Sequence, residues 1–431
     1  MNEDGTGNMK HTERIVGWIF LIAVLLAGYF LLPTSMLFFR LIIGGLLGYA
    51  LSRGYMGFAG SVNRAYLTGS TRLMRTLMLM FFVSAAGTVA VLFQADATKF
   101  DLWVNPINFG LLLGGIFFGF GMAFSSCCAS GVLTDLVTAL PRALITLVFF
   151  CAGVFLGFPL QNTAGWIKDS WLTSPTGAAI GTKGVYFPDY FKFDGLDGYL
   201  GALAVTGVLC IIVVRLSRYY ENKRKKTGEY FGHFDEGVQL KIAADKLSEN
   251  DVPFFSATAY ERYFVRPWSL RTAVIVISFI FVVLMGVTKA GWGASTPYGF
   301  WFGKVLMQFG VSTDAIVAFT HGAAKPYELP FLLHPITLQN IGILLGTAFY
   351  LLSAEQLRDA VKAGYRISAK QGLFYAIGGL AMGFGTRLSN GCNVGALYTP
   401  IANFSLSGWI FLVVMVLGGI LGNKIAKKVG L

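Results

Sequence analysis

One pattern occurs twice in this chain and limits what it can fold into. Residues 114–131 read GGIFFGFGMAFSSCCASG, and residues 378–395 read GGLAMGFGTRLSNGCNVG. Superposed without a gap, Gly114 falls on Gly378, Gly115 on Gly379, Gly119 on Gly383, Gly121 on Gly385, Ser125 on Ser389, Cys128 on Cys392 and Gly131 on Gly395. Each copy is an apolar helix with small residues three and four apart, hence on one face, ending in a glycine-rich break that carries a cysteine. Glycine alone means little in a chain with 53 of them. The shared order of glycines, serine and cysteine identifies an internal duplication.

Composition places that duplication in a membrane. The 431 residues are 55% hydrophobic and 13% charged, and mean hydropathy is +0.62; a soluble domain carries about 25% charged residues. Two or three soluble domains are thereby excluded. The net charge of +12 does not indicate nucleic acid, because the cationic residues gather in loops, as orientation in a bilayer requires. Cys127, Cys128, Cys151, Cys210 and Cys392 lie in or beside apolar segments, spaced neither as a disulfide ladder nor as a zinc knuckle. No phosphate-binding Gly-x-x-x-x-Gly-Lys-Ser/Thr loop is present. No cofactor and no metal are expected.

Hydropathy and loop charge predict spans over 15–32, 36–51, 76–92, 107–124, 143–160, 199–214, 268–288, 336–352, 372–388 and 407–423. No small-residue cleavage motif follows the first, which reads as a span and not as a removed signal peptide. Arg53, Arg64, Arg72 and Arg75 share a loop without an acid and set it in the cytoplasm, with the N-terminus. Residues 130–141 are too short to cross and predict a re-entrant hairpin; 298–311 predict a broken or re-entrant helix. Residues 161–198, rich in tryptophan and tyrosine, form an outer loop. The fold class is an all-α polytopic membrane protein of about 9–10 spans, with inverted internal repeats and short broken or re-entrant helices. Residues 1–214 make one repeat half, 215–269 a cytoplasmic linker and 270–431 the other half. Counted this way, the first copy runs inward toward Cys128 and the second outward toward Cys392, so the copies are antiparallel. In inverted-repeat transporters the substrate site lies where the repeats meet.

Backbone that leaves helical geometry at membrane depth must be buried in protein or line a polar cavity. The two breaks are therefore the candidate pathway, with Ser125, Ser126, Cys127 and Cys128 in one and Ser389, Asn390, Cys392 and Asn393 in the other. Neutral weak donors replace part of an anion's hydration without trapping it. Arg387 falls on Ala123 of the other copy, and a cation at that depth faces protein or a water-filled route. The competing reading is close packing with cysteine as a small hydrophobe. A cysteine nucleophile lacks a neighbouring base in sequence, since His321 and His334 are remote.

The paired Ser-Cys-Cys-Ala-Ser-Gly and Asn-Gly-Cys-Asn-Val-Gly breaks resemble those of the YeeE/YedE family of membrane proteins, the sulfur-transport family, over about residues 40–423. The resemblance implies an inner-membrane transporter, not an enzyme, that passes a small sulfur-containing anion, thiosulfate above all, along an hourglass path lined by three cysteines. Related members imply selenium compounds as alternative cargo and a cytoplasmic sulfurtransferase as partner. A membrane sulfurtransferase or a structural subunit are the readings from other classes. Cys128 and Cys392 match two of the three family cysteines. The third belongs to an Arg-x-x-x-Cys-Phe stretch, and here Arg53-Gly54-Tyr55-Met56-Gly57-Phe58 has Gly57 at that place; Cys127 or Met56 are the candidates to replace it.

The positive-inside count predicts both termini in the cytoplasm. Reporter fusions at Met1 and Leu431 will report the same side, and opposite sides would mean an odd number of crossings and parallel copies.

Overall fold

The computed structural model describes residues 3–245 and 256–430; Met1 and Leu431, to which the prediction on the termini refers, lie outside the described residues, as does part of the linker. Helices α1 (Glu3–Leu31), α2 (Ser35–Arg53), α3 (Gly60–Thr68), α4 (Arg72–Leu92), α5 (Phe109–Ser125), α6 (Gly131–Thr138), α7 (Leu140–Thr163) and α8 (Tyr199–Lys226) build the first part. After α9 (Phe234–Asp245) come α10 (Leu270–Thr288), α11 (Thr296–Gln308), α12 (Pro335–Ser353) and α13 (Ala369–Leu388). A π-helical turn, Asn393–Tyr398, runs into α14 (Thr399–Ala402), and α15 (Leu406–Lys428) closes the chain. Among the described residues, eight helices are long and apolar enough to cross a membrane: α1, α2, α4, α7, α8, α10, α12 and α15. With α5 and α13 they account for the ten segments read from hydropathy. Ile15, Ile19, Ile22 and Leu26 on α1 and Val208, Ile211, Ile212 and Leu216 on α8 stand exposed in apolar rows, as surfaces facing acyl chains do.

The two repeat copies form the centre, α5 against α13. A Cβ added at Gly114 would lie 2.6 Å from the Gly385 carbonyl oxygen, and one at Gly121 would lie 2.4 Å from that of Gly378. Ascending numbers on one helix meet descending numbers on the other, so the pair is antiparallel. The repeat relation carries Gly114 to Gly378 and Gly385 to Gly121, which turns the first contact into the second. That exchange is the mark of an approximate two-fold axis. The flanking helices obey it too: Gly119 of α5 meets the Met415 carbonyl of α15, and Gly383 of α13 meets the Phe150 carbonyl of α7, each too close for a Cβ. Farther out, α2 packs on α12 and α4 on α10.

Four breaks interrupt this frame, after α2, α5, α10 and α13, each followed by a short helix or helical turn. The stretch expected to re-enter at 130–141 is α6, separated from α7 by Ala139, and the one at 298–311 is α11. Outside the spans, the 161–198 loop is tied to the far end of the second copy, Phe187 N–H donating to the Phe404 carbonyl (2.9 Å) and Leu406 N–H to that of Val185 (3.1 Å). The span expected to end at residue 214 continues as one helix to Lys226. From the linker, α9 docks on the bundle: Gln239 Nε2 donates to the carbonyls of Gly54 and Trp268, both at 2.9 Å.

The close approach at Gly119 has a measurable consequence. Gly119→Val will lower the melting temperature or prevent assembly, since overpacking of a tight core costs about 1–3 kcal/mol or more. Gly237→Ala on α9, where an added Cβ meets nothing within 4 Å, will leave the melting temperature unchanged or slightly higher.

Candidate functional site

The two central breaks are built alike. Ser126 and Asn390, related by the repeat, end α5 and α13 in the left-handed region, both with φ 56°. One residue earlier, the Ser125 hydroxyl donates to the Gly121 carbonyl (2.9 Å) and the Ser389 hydroxyl to that of Gly385 (2.8 Å). These serines settle backbone acceptors where the helices stop. The cysteines follow at the start of the next short element. Cys128 Sγ accepts the Gly131 N–H at 3.4 Å and lies 3.6 Å from Ser130 Oγ. Cys392 lies against the N–H groups of Val394 and Gly395 and the Ser295 hydroxyl. Both sulfurs thus occupy helix-start positions where backbone donors converge.

Two cavities approach this centre from opposite ends. One, about 580 Å³, opens on the face of the 161–198 loop, here called outer, and is lined by Trp103, Asn105, Gln161, Thr296, Arg387 and Asn390 among others. The other, about 480 Å³, opens on the linker face, called inner, and reaches Gly57, Asn63, Arg64, Ser126, Cys127 and Cys128. The repeat-related pair Ser126 and Asn390 therefore faces opposite ends. Cys392 and Asn393, both fully buried, lie between, bordering neither cavity. Tyr298, fully buried, reaches the first break: its hydroxyl donates to the Ala129 carbonyl (2.6 Å). Asn393 contacts Met122 Sδ through Nδ2 (3.0 Å), while its buried Oδ1 has no partner.

Charge is distributed unequally between the ends. Arg387 is 2% exposed and donates to Ser295 Oγ (3.0 Å), Thr386 Oγ1 (3.2 Å), Thr296 Oγ1 (3.3 Å) and Gln161 Oε1 (3.4 Å). Every one of these acceptors is neutral. At the inner end, Arg142 pairs with Asp135 (2.8 Å), and Arg64 with Asp235 (3.4 Å) and Glu236 (3.6 Å). His233 joins that rim 3.5 Å from Asp235; burial, then the Arg64 cation, hold its imidazole below the usual range against the pull of the two acids. Gly57, where the family cysteine was expected, looks onto open space: a Cβ there meets nothing within 4 Å. Met56 and Cys127 line the same cavity.

Sequence reading brought the two breaks and Arg387 to one region, but it passed over Ser295, Thr296, Gln161, Tyr298 and Trp103. A signal for Ser295 was present. The stretch Lys289-Ala290-Gly291-Trp292-Gly293-Ala294-Ser295 is a second glycine-rich break between apolar helices, as Arg53 to Phe58 is in the first half. For Gln161 and Tyr298, which sit within helical runs, there was none.

Residues 53–421 match the sulphur-transport family, and the chain belongs to that family. A stretch of 162 residues is 28% identical to the probable transporter YedE of Escherichia coli K12, covering 38% of this chain and 39% of YedE. The thiosulfate transporter TsuA of the same organism is 22% identical over 385 residues, 89% of this chain and 93% of TsuA. TsuA of Spirochaeta thermophila is 20% identical over 393 residues, 89% of this chain and 97% of its own. The chain thus spans about two fifths of YedE and nearly the whole of either TsuA.

The open space at Gly57 predicts that Gly57→Cys folds with an unchanged melting temperature. Its thiol will react with an impermeant reagent supplied from the linker face, and unreactive protein would mean that this wall is closed.

Proposed function

We infer that this member of the sulphur-transport family carries a small sulfur-containing anion across the membrane, thiosulfate in the first place, from the outer cavity past Arg387, Cys392 and Cys128 to the inner one. The observation that carries the reading is a deeply buried guanidinium, at the floor of a cavity, whose hydrogen-bond acceptors are all neutral. A buried cation without a counter-charge is costly, and an anion arriving from the outer cavity supplies that charge. Beyond Arg387 the anion would exchange water for the donors gathered at the breaks: the Ser295 hydroxyl, the backbone N–H groups of Val394, Gly395 and Gly131, and the two thiols. Such donors lower the barrier without holding the ion tightly, which passage requires. Cysteine adds a polarizable surface suited to a sulfur or selenium centre. On this reading the protein sits in a cell inner membrane with α9 and both ends in the cytoplasm.

The thiosulfate transporters named above, matched over nearly their full lengths, support the choice of anion. A sulfurtransferase reading finds no support in the geometry. Cys128 and Cys392 contact hydroxyls and backbone N–H groups, and the acids lining the inner cavity, Asp135 and Asp235, are engaged by Arg142 and Arg64.

Proteoliposomes offered labelled thiosulfate, sulfite, sulfate and selenite test this directly. Thiosulfate uptake is expected to exceed that of sulfate. Cys128→Ala and Cys392→Ala will each slow initial uptake about ten- to a hundredfold at equal folded protein, the effect of removing one hydrogen bond to a charged group. Arg387→Lys will retain part of the flux and Arg387→Ala almost none, since lysine keeps the charge without the fork. Folded protein that moves none of the four anions would overturn the transport reading. Unchanged uptake in Cys128→Ala, Cys392→Ala would remove the thiols from the path.

A further inference from the structure

The repeat relation supplies an internal control for the state of each end. Gly131 and Gly395 are equivalent, each three residues after the break cysteine. A Cβ added at Gly131 meets only atoms of its own break, Cys128 Sγ at 3.3 Å and Cys127 Cβ at 3.7 Å. A Cβ at Gly395 would lie 1.9 Å from the Trp103 ring, and one at Gly293, in the break after α10, 2.5 Å from it. The benzo ring of the indole therefore rests against two glycines from two different breaks. Trp103 also lines the outer cavity, together with Arg387 and Asn390. Both cysteines are buried, Cys128 at 1% and Cys392 at 0% exposure, but Cys128 borders the inner cavity and Cys392 borders neither of the two.

The indole is held in place by its own segment. Trp103 Nε1–H donates to Asp101 Oδ2 at 2.8 Å. Asp101 is fastened in turn to the break after α10, its N–H donating to the Lys289 carbonyl (2.8 Å) and its carbonyl accepting from Gly291 N–H (3.4 Å). Trp103 has φ 55°, a left-handed backbone that a bulky residue adopts only where its surroundings impose it. In the second copy the residue in register with Trp103 is Ile367, a half-buried aliphatic side chain that does not line the inner cavity.

From these contacts the geometry points to Trp103 as the gate of the outer end: the indole, latched by Asp101 and seated on Gly293 and Gly395, separates the outer cavity from Cys392, and the structure is the outer-closed, inner-open state of the path. This rests on the transport reading for its purpose. The two glycines, having no side chain, let the ring lie against backbone. Release of the latch lets the ring swing into the cavity and brings Cys392 into line with Arg387. A wedge of apolar surface at this point also keeps water and ions from crossing when the path is empty.

The test reads thiol accessibility and is independent of uptake. In proteoliposomes of known orientation, a membrane-impermeant maleimide is added from the outer face, and modification of Cys392 is followed by mass spectrometry, with Cys128 modified from the inner face as reference. Trp103→Ala is expected to raise the outer-face rate at Cys392 about tenfold or more, in proportion to the open population, and to leave the inner-face rate at Cys128 unchanged. Asp101→Ala, which removes the latch from a surface loop without removing core volume, is expected to raise it about fivefold. Should Trp103→Ala fail to fold, Asp101→Ala decides the matter. A Cys392 rate equal to that of the native protein in folded Trp103→Ala, or in folded Asp101→Ala in the absence of the former, overturns the gate. Raised labelling in protein that moves no sulfur or selenium anion would retain the gate and overturn only the transport reading.

Discussion

Backbone lying directly on backbone, at glycine, is the contact on which the rest of the structure depends. Within lipid, helices gain nothing from the hydrophobic effect by associating, and association rests on close packing and on interhelical polar contacts. Here α5 and α13 touch through Gly114, Gly121, Gly378 and Gly385, and each is clasped from outside by α15 or α7 at further glycines. Helices packed this closely leave no room at their contact for side chains, and the chemistry is displaced to their ends. For α5 the break falls inside the protein on length alone: its 17 residues reach about 25 Å at the helical rise per residue, less than the roughly 30 Å of hydrocarbon a span must cross. The breaks follow from the packing, and the site follows from the breaks.

Interrupted backbone at that depth needs partners, and the structure supplies them with neutral groups. Ser125 and Ser389 serve the last turns of their helices, Tyr298 serves the Ala129 carbonyl, and Asn105 and Asn403 reach the carbonyls of Gly395 and Leu102. Most of the polar residues that a scan for pathway donors would choose are occupied with the fold itself. What remains pointed at the centre is small in number: the thiols, the Asn393 carbonyl oxygen, the backbone N–H groups beside each cysteine, and Arg387.

This division explains what could be read from the sequence. The ten segments, the duplication and its inversion were legible, because apolar length, loop charge and glycine order are properties of contiguous residues. The breaks were legible for the same reason, and with them Cys128, Cys392 and Arg387. The functions of Ser125 and Ser389 were less so: a serine before a break reads as a donor until the carbonyl four residues back is seen to claim it. Trp103 was invisible, since its meaning comes from Gly293 and Gly395, which are far away in sequence. The continuation of α8 to Lys226 and the docking of α9 depend on surfaces that no local pattern announces.

Symmetry in the scaffold makes the departures from it informative. At repeat-related positions Arg387 and Ala123 both rest their Cβ against a glycine, Gly157 in one case and Gly422 in the other, each with a prospective Cβ too near to fit. The backbones are arranged alike, but only one of the two carries a cation. An arginine at both places would set two like charges on either side of the cysteines and give a passing anion two deep wells. An ion must bind well enough to enter and loosely enough to leave. Of the arginines lining the inner cavity, Arg64 pairs with Asp235 and Glu236 and Arg142 with Asp135, so on the transport reading a departing anion meets no unpaired arginine on that wall. On that reading a duplicated scaffold acquires a capturing end and a releasing end, without any change in how its helices pack.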